Sequence, residues 1–175
     1  GSQDATGLTF GIVASKFNKF VTSRLLTECV KALTKAGVTD EAIEVVRVPG
    51  AFEIPLVARQ LARSGRFDAV ICLGAVIRGD TPHFEYISTE VSRGILQASM
   101  DSNIPVIFGV LTTDTVAQAI ERADPEKLNR GADVAKTAIE MVNVMRLLKK
   151  EGSGEAPQPA TPSRRAGRSA ARPKR

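Results

Sequence analysis

The sequence is poor in the residues from which proteins build metal sites. It has one histidine, His83, and two cysteines among 175 residues. A zinc or iron site would have to rely almost wholly on carboxylates, which is an improbable ligand set for either metal. Cys29 and Cys72 lie in apolar surroundings and fit no metal-binding or redox spacing. The sequence therefore predicts no metal, and two buried free thiols that suit a reducing compartment.

Long apolar segments are missing as well. No stretch approaches the roughly 18 uninterrupted apolar residues of a membrane-spanning helix. The first residues do not combine a basic segment with an apolar one, and no GxGxxG or Walker-type loop is present. We therefore expect a soluble, cytoplasmic protein with no membrane partner.

The net charge of +5 is concentrated in the last residues of the chain. The chain has 24 basic and 19 acidic residues, and residues 152–175 hold six of the former but only Glu155 of the latter, so the remaining charges cancel. The same stretch is rich in proline, alanine and serine and cannot bury enough apolar surface to fold. We expect one domain, residues 1–151, and a disordered basic tail, residues 152–175. Nucleic acid is a candidate partner of this tail alone.

Residues 8–150 alternate between strand and helix patterns. Short apolar runs predict strands at Leu8–Ala14, Ile43–Val48, Ala69–Ile77 and Ile104–Leu111. Apolar steps of three and four predict helices that start near Val21, Glu53, His83 and Thr115, and a last helix at Ala132–Lys150. The inner face of the last helix is predicted to be Val134, Ala138, Met141, Met145 and Leu148. The alternation predicts a three-layer α/β/α, flavodoxin-like domain with a four-stranded parallel sheet.

The loops that follow the four predicted strands should lie close together. Ligands of such sheets bind beyond the carboxyl ends of the strands. The loops in question are residues 15–18, 49–53, 77–83 and 112–115. We therefore expect them to converge on one site.

The loop from Ile77 to His83 is the most informative of the four. It joins a buried strand to the start of a helix, where free backbone N–H groups and the helix dipole attract a phosphate or a carboxylate. Thr81 adds a hydroxyl donor, and His83 belongs to the residue type best suited to proton transfer near neutral pH. Alternatively, Thr81 only caps the helix and His83 is only an exposed first-turn residue.

Three further positions each have a functional and a structural interpretation. In Pro49–Glu53 the glycine lets a flat ligand approach the backbone, although a plain turn with Glu53 at a helix start explains the same residues. Phe17 either stacks on an aromatic ligand or belongs to packing. Arg122 either clamps a phosphate or is a cation favoured at a helix C-terminus. Taken singly, these residues do not decide between the alternatives.

Five strings of residues together resemble one family. The chain contains, in this order, FGIVASKFN, VPGAFEIP, GAVIRGDTPHFEYI, PVIFGVLTTDT and QAIERA. Their order and spacing resemble those of the lumazine synthases from residue 8 to about residue 150. VPGAFEIP and IRGDTPHFEY carry most of this resemblance, because neither is a generic turn or a nucleotide-binding pattern.

The resemblance implies a pyrimidine side of the site. On that side Phe17 corresponds to the ring that stacks on the substrate. The segment implied to bind the ribityl chain consists of Ala51, Phe52 and Glu53. The backbone implied to read the pyrimidine edge belongs to Ala75, Val76 and Ile77.

A phosphate side is implied in the same way. Asp80 and Thr81 match its loop, and Arg122 matches a phosphate-binding arginine. His83 matches the proton-transfer residue, and Phe108 a residue that reaches the site from a neighbouring subunit. Assembly would then be a condition of activity.

The implied reaction is that of a transferase in riboflavin biosynthesis. It condenses 5-amino-6-(D-ribitylamino)uracil with 3,4-dihydroxy-2-butanone 4-phosphate to give 6,7-dimethyl-8-ribityllumazine, phosphate and water. No cofactor and no metal takes part. The implied partners are the two small-molecule substrates and further copies of the chain in a pentamer-based assembly, with riboflavin synthase as a further candidate.

The chain departs from the family between Arg122 and Gly131, where a stretch containing glycine and lysine is usual. Residues 123–130 read ADPEKLNR, so Arg130 stands in place of the usual lysine. It keeps the charge but changes its geometry. Because this loop is not lengthened, we expect a 60-subunit icosahedral shell rather than an isolated pentamer.

Two other functions are compatible with the same fold. The first is a carrier that holds riboflavin or a lumazine without turnover, although a carrier has no use for the phosphate side. The second is a shell-forming container whose basic tail recruits RNA or acidic cargo. Formation of lumazine from the two substrates distinguishes an enzyme from both.

Overall fold

A computed structural model describes residues 2–153 of the chain. In chain order the elements are β1 (Phe10–Ser15), α1 (Lys19–Lys35), β2 (Ile43–Val48), α2 (Ile54–Arg63), β3 (Ala69–Ile77), α3 (His83–Ser102), β4 (Val106–Thr113), α4 (Val116–Ala123) and α5 (Arg130–Gly152). Single turns of 3-10 helix at Asp40–Ala42 and Ala51–Glu53 precede β2 and α2. The predicted tail lies outside the described residues, apart from Gly152 at the end of α5 and Ser153 after it.

Within residues 2–153 the strands form one four-stranded parallel sheet in the order β2-β1-β3-β4. The first crossover runs from β1 to β2 and the second runs back from β2 to β3. A third crossover continues from β3 to β4. Since crossovers between parallel strands are right-handed as a rule, the change of direction after β2 places α1 on one face of the sheet and α2 and α3 on the other, in agreement with the two apolar layers. Helices α4 and α5 pack on the same side as α1. The predicted three-layer, flavodoxin-like fold is confirmed.

Each face of the sheet buries its own apolar layer. In β1, Ile12 contributes to the layer under α1 and α5, whereas Val13 contributes to the layer under α2 and α3. Every residue of β3 except Ile77 is buried, as expected for a parallel strand covered on both faces. Each fully buried leucine or isoleucine stabilises the fold by roughly 1.5–3 kcal/mol. The carboxyl ends of the strands are therefore a rigid base for the loops that follow them.

Two of the predicted strands begin later than expected. The N–H of Thr9 donates to Asp68 Oδ2 (2.8 Å), and the strand pairing of β1 starts at Phe10 rather than Leu8. Near β4, the Ser99 hydroxyl donates to Ile104 O (2.9 Å) and accepts from the N–H of Val106 (3.1 Å). The side chain of Ser99, on α3, therefore hydrogen-bonds with backbone groups that the sequence pattern assigned to strand pairing, and β4 starts at Val106.

The prediction of the inner face of the last helix was largely wrong. The buried residues of α5 are Gly131, Ala135, Ala138, Ile139 and Val142. Of the predicted stripe, Ala138 is buried, Val134 and Met145 are half-buried, and Met141 and Leu148 are exposed. A Cβ at Gly131 would lie 2.4 Å from Leu25 O, so the backbones of α1 and α5 approach closely and small residues form the contact.

None of the helices within residues 2–153 is long and apolar enough to cross a membrane.

Candidate active site

The candidate site is a cavity of about 540 Å³ at the carboxyl ends of β1 and β3. These are the neighbouring strands from which the chain crosses to opposite faces of the sheet, the usual ligand position in such folds. The loops after β1, β2 and β3 and the first turns of α3 form its walls. The predicted convergence therefore holds for loops 15–18, 49–53 and 77–83. The loop at residues 112–115 contributes no lining residue.

The aromatic side of the cavity is formed by Phe17 and Phe52, whose rings are 71% and 58% exposed. The N–H groups of Lys16 and Phe17 donate to Val48 O (2.8 Å) and Pro49 O (3.0 Å). These bonds continue the pairing of β1 with β2 beyond the end of the strands and fix the backbone that carries Phe17. Because so much of its ring is exposed, Phe17 is available for stacking and is not a packing residue of the core.

Asn18 is a site residue that the sequence analysis missed. It precedes α1 in the left-handed conformation (φ 57°, ψ 45°), which asparagine tolerates better than most residues. Its Nδ2 donates to Ala75 O (2.9 Å), which ties the loop after β1 to β3. An asparagine just before a helical pattern was the available signal.

The turn after β2 combines the two interpretations that the sequence left open. Glu53 Oε2 accepts a hydrogen bond from the N–H of Gly50 (3.0 Å), and the N–H of Glu53 donates to Gly50 O (3.3 Å). The carboxylate thus closes the turn, as the structural interpretation expected. Gly50, Ala51, Phe52 and Glu53 also line the cavity, so the turn fixes that part of its wall.

The base of the cavity is the end of β3. Strand pairing between β1 and β3 ends at Ala14 and Leu73, whereas pairing between β3 and β4 continues to Ile77 and Thr113. On the side away from β4, the backbone of Ala75–Ile77 therefore has no strand partner, and the three residues line the cavity. Ala75 O accepts the bond from Asn18, and the remaining free backbone groups of this edge are able to hydrogen-bond with the edge of a flat heterocycle.

The third side of the cavity is the start of α3. Pro82 occupies the N-cap position and no side chain caps this helix end, so the alternative in which Thr81 is only a cap was wrong. Among residues 2–153, no hydrogen-bond acceptor is found for the N–H groups of Gly79, Thr81 and His83. Free N–H groups at the positive end of a 20-residue helix are well suited to bind an anion. His83, the first residue of α3, is exposed and lines the same part of the cavity.

Three of the predicted residues do not line the cavity of their own chain: Asp80, Phe108 and Arg122. Asp80 is exposed in the loop before α3, and Phe108 is exposed on the edge strand β4. Arg122 lies in the last turn of α4, where its Nη1 donates to Gln118 O (3.2 Å). This is the position of a cation that compensates a helix C-terminus.

Arg78, directly after β3, was not assigned a role from the sequence. Its Nε donates to Asp114 Oδ1 (2.8 Å) and its Nη1 to Glu85 Oε1 (3.3 Å). The guanidinium also lies 4.5 Å from the centre of the Phe84 ring. Hydrogen bonds with Asp114 and then Glu85 raise the pKa of Arg78 above its usual value, so the side chain is a permanent cation. Arg78 and Asp114 are 36 residues apart in the sequence, so local sequence patterns could not predict that they pair.

The thiols of Cys29 and Cys72 do not line the cavity. Both are buried and unbridged, as predicted. Burial raises the pKa of Cys29 to about 12 and raises that of Cys72 as well, so both remain neutral thiols. Among the described residues, no group of three His, Cys, Asp or Glu side chains is placed to hold a metal ion.

Comparison with known proteins identifies the family of the chain. The family model described as 6,7-dimethyl-8-ribityllumazine synthase matches residues 7–146. The chain is 61% identical over 142 residues to the 6,7-dimethyl-8-ribityllumazine synthase of Syntrophus aciditrophicus (strain SB). The aligned residues cover 81% of this chain and 92% of the relative. The chain belongs to the 6,7-dimethyl-8-ribityllumazine synthase family, a family of transferases in riboflavin biosynthesis.

Proposed function

We propose that the chain condenses 5-amino-6-(D-ribitylamino)uracil with 3,4-dihydroxy-2-butanone 4-phosphate. The 5-amino group attacks the ketone and an imine forms with loss of one water. Loss of phosphate gives an enol that becomes a new ketone. The ribitylamino nitrogen attacks this ketone, and loss of a second water closes the ring of 6,7-dimethyl-8-ribityllumazine. The observation that carries the proposal is one cavity with an aromatic wall on one side and an anion-binding helix start on the other.

The pyrimidine would lie on the side of β1 and β2. Phe17 stacks on its ring, and the free backbone groups on the edge of Ala75–Ile77 hydrogen-bond with its polar groups. The turn formed by Ala51, Phe52 and Glu53 lines the cavity and would bind the ribityl chain. The stiffness of this turn favours near-attack geometry, because the substrate would bind to a preformed wall.

The sugar phosphate would bind at the start of α3. Its phosphate accepts hydrogen bonds from the free N–H groups of Gly79 and Thr81, beside the helix dipole. His83 is next to this position and would transfer the protons of imine formation and phosphate loss. Since Asp80 follows Gly79 in the same loop, it would orient the backbone there rather than touch the anion.

We further propose a homo-oligomer in which neighbouring copies complete each site. Phe108 and Arg122 lie outside the cavity of their own chain, and a second copy is the source from which they would reach it. Large exposed apolar side chains on α2 and α3 also favour contacts between copies: Leu56, Tyr86, Leu96 and Met100. We propose a pentamer-based shell of 60 subunits in the cytoplasm, whose reducing conditions suit the two free thiols.

The test of this function is to mix the purified full-length protein with both substrates. We expect lumazine absorbance and fluorescence to rise at a rate proportional to protein concentration, and not to rise when either substrate is omitted. A protein that binds added lumazine but never forms it would be a carrier, and the proposed function would be wrong.

A further inference from the structure

Arg78 joins three segments that surround the anion-binding end of α3. It is the first residue after β3, and its N–H donates to Thr113 O (2.8 Å), which extends the pairing of β3 with β4. Its side chain bonds to Asp114 in the loop after β4 and to Glu85 in the first turn of α3. The base of this side chain is therefore fixed to the sheet, while its tip is fixed to the helix.

The segment between these attachment points is the one that lines the cavity. Gly79, Thr81 and His83 lie between Arg78 and Phe84, and Phe84 itself lines the cavity while its ring lies under the guanidinium. Within residues 2–153, few hydrogen bonds hold the backbone of this loop in place, because the N–H groups of Gly79, Thr81 and His83 have no acceptor. Its orientation therefore depends on its two ends, and Arg78 holds both of them.

Charge supports the same interpretation. Asp80, Glu85 and Asp114 place three carboxylates on or beside the loop, and all three residues are exposed. Arg78 is hydrogen-bonded to Glu85 and Asp114. Without its positive charge, both carboxylates would repel a phosphate that approaches the start of α3. Arg78 does not line the cavity, so it acts on an anion through the loop and through these two partners.

We propose that Arg78 is a positioning residue for the phosphate side of the site: it holds the loop at Gly79–His83 against the cavity and offsets part of the negative charge of Glu85 and Asp114. This inference rests on the proposed function for the identity of the sugar phosphate. The anion site itself can be tested without turnover, with inorganic phosphate as the probe.

The test compares Arg78→Ala with a matched control, Arg66→Ala. Arg66 is also exposed, pairs with Glu44, and lies 4.8 Å from the ring of its neighbour Phe67, but it precedes β3 at the opposite end of the sheet. Calorimetric titration of the assembled full-length protein with inorganic phosphate gives the affinity. We expect Arg78→Ala to weaken phosphate binding about ten-fold, the order expected from losing two exposed ion pairs and a cation–π contact. Arg66→Ala should bind phosphate like the unmodified protein.

Kinetics then separate positioning from a general loss of structure. Arg78→Ala should raise the KM for the sugar phosphate about ten-fold and leave the KM for the pyrimidine within about two-fold. Equal changes in both KM values, or phosphate affinity equal to that of the unmodified protein, would overturn the proposal. If phosphate binding falls as expected but the unmodified protein forms no lumazine, the proposed function fails and the positioning role stands.

A second pair of variants keeps the test decisive if Arg78→Ala does not fold. Asp114→Asn removes the negative charge of one of the two acceptors of Arg78. Arg78→Lys keeps the positive charge but loses the guanidinium fork that joins both acceptors. If positioning dominates, Arg78→Lys should weaken phosphate binding about three-fold or more. Phosphate affinity unchanged in Arg78→Lys and in Asp114→Asn would overturn the proposal, as would failure of the unmodified protein to bind phosphate.

Discussion

Replacement of Phe17 by alanine should weaken binding of the pyrimidine and leave the fold intact. The ring is 71% exposed, so its removal opens no cavity in the core, and stability should change by no more than about 0.5 kcal/mol. The backbone of Phe17 is held by its N–H bond to Pro49 O, which alanine preserves. What is lost is the contact with the substrate ring, worth about 1 kcal/mol, or about five-fold in affinity.

The assay is the initial rate of lumazine fluorescence with one substrate varied and the other saturating. Phe17→Ala should raise the KM for the pyrimidine about five-fold and leave the KM for the sugar phosphate unchanged. Phe17→Tyr keeps a ring at this position and should behave like the unmodified protein. Phe20→Ala is the matched control, because Phe20 is also exposed, at 50%, but does not line the cavity. An unchanged pyrimidine KM, or equal changes in both KM values, would refute the stacking role.

Four further outcomes follow from the proposed site. His83→Ala should slow turnover by roughly 10- to 100-fold without changing the thermal midpoint, since His83 is an exposed proton carrier; an unchanged rate would remove that role. Arg122→Ala should raise the KM of the sugar phosphate about ten-fold or more and that of the pyrimidine little, because only one substrate carries the anion. Cys29 and Cys72 should not react with a thiol reagent at pH 8 until the protein is denatured, because burial raises the pKa of both; fast reaction in the native state would contradict their placement. Deletion of residues 154–175 should leave lumazine formation unchanged and abolish any RNA binding, and a loss of activity or assembly would make this segment part of the enzyme.

The sequence was sufficient for the elements that a single physical signal determines. The bounds of β2 and β3 agree with prediction because each is a short run of strand formers between helix-ending and turn residues. The inner face of α5 was missed because two stripes share Ala138. The large apolar residues favoured one stripe, whereas close contact with α1 selected the other through Gly131 and Ala135.

The candidate site likewise contains residues that the sequence predicted and contacts that it did not. Motif strings located most of the residues that line the cavity on the loops after β1, β2 and β3, because those loops meet at the carboxyl ends of neighbouring strands. Neither the bond from Asn18 to Ala75 nor the pairing of Arg78 with Asp114 was predicted. Both join residues that are distant in sequence, and they arise only once the sheet has brought the loops together.

The most direct test of the proposed condensation is the stoichiometry of products in one reaction of the full-length protein. Lumazine is followed by fluorescence and inorganic phosphate by a coupled colour reaction, with each substrate omitted in turn. We expect one phosphate per lumazine, no enzymatic release of either without both substrates, and parallel slowing of both products in His83→Ala. Phosphate released from the sugar phosphate alone at the enzymatic rate, or lumazine formed no faster than without protein, would contradict the proposed condensation.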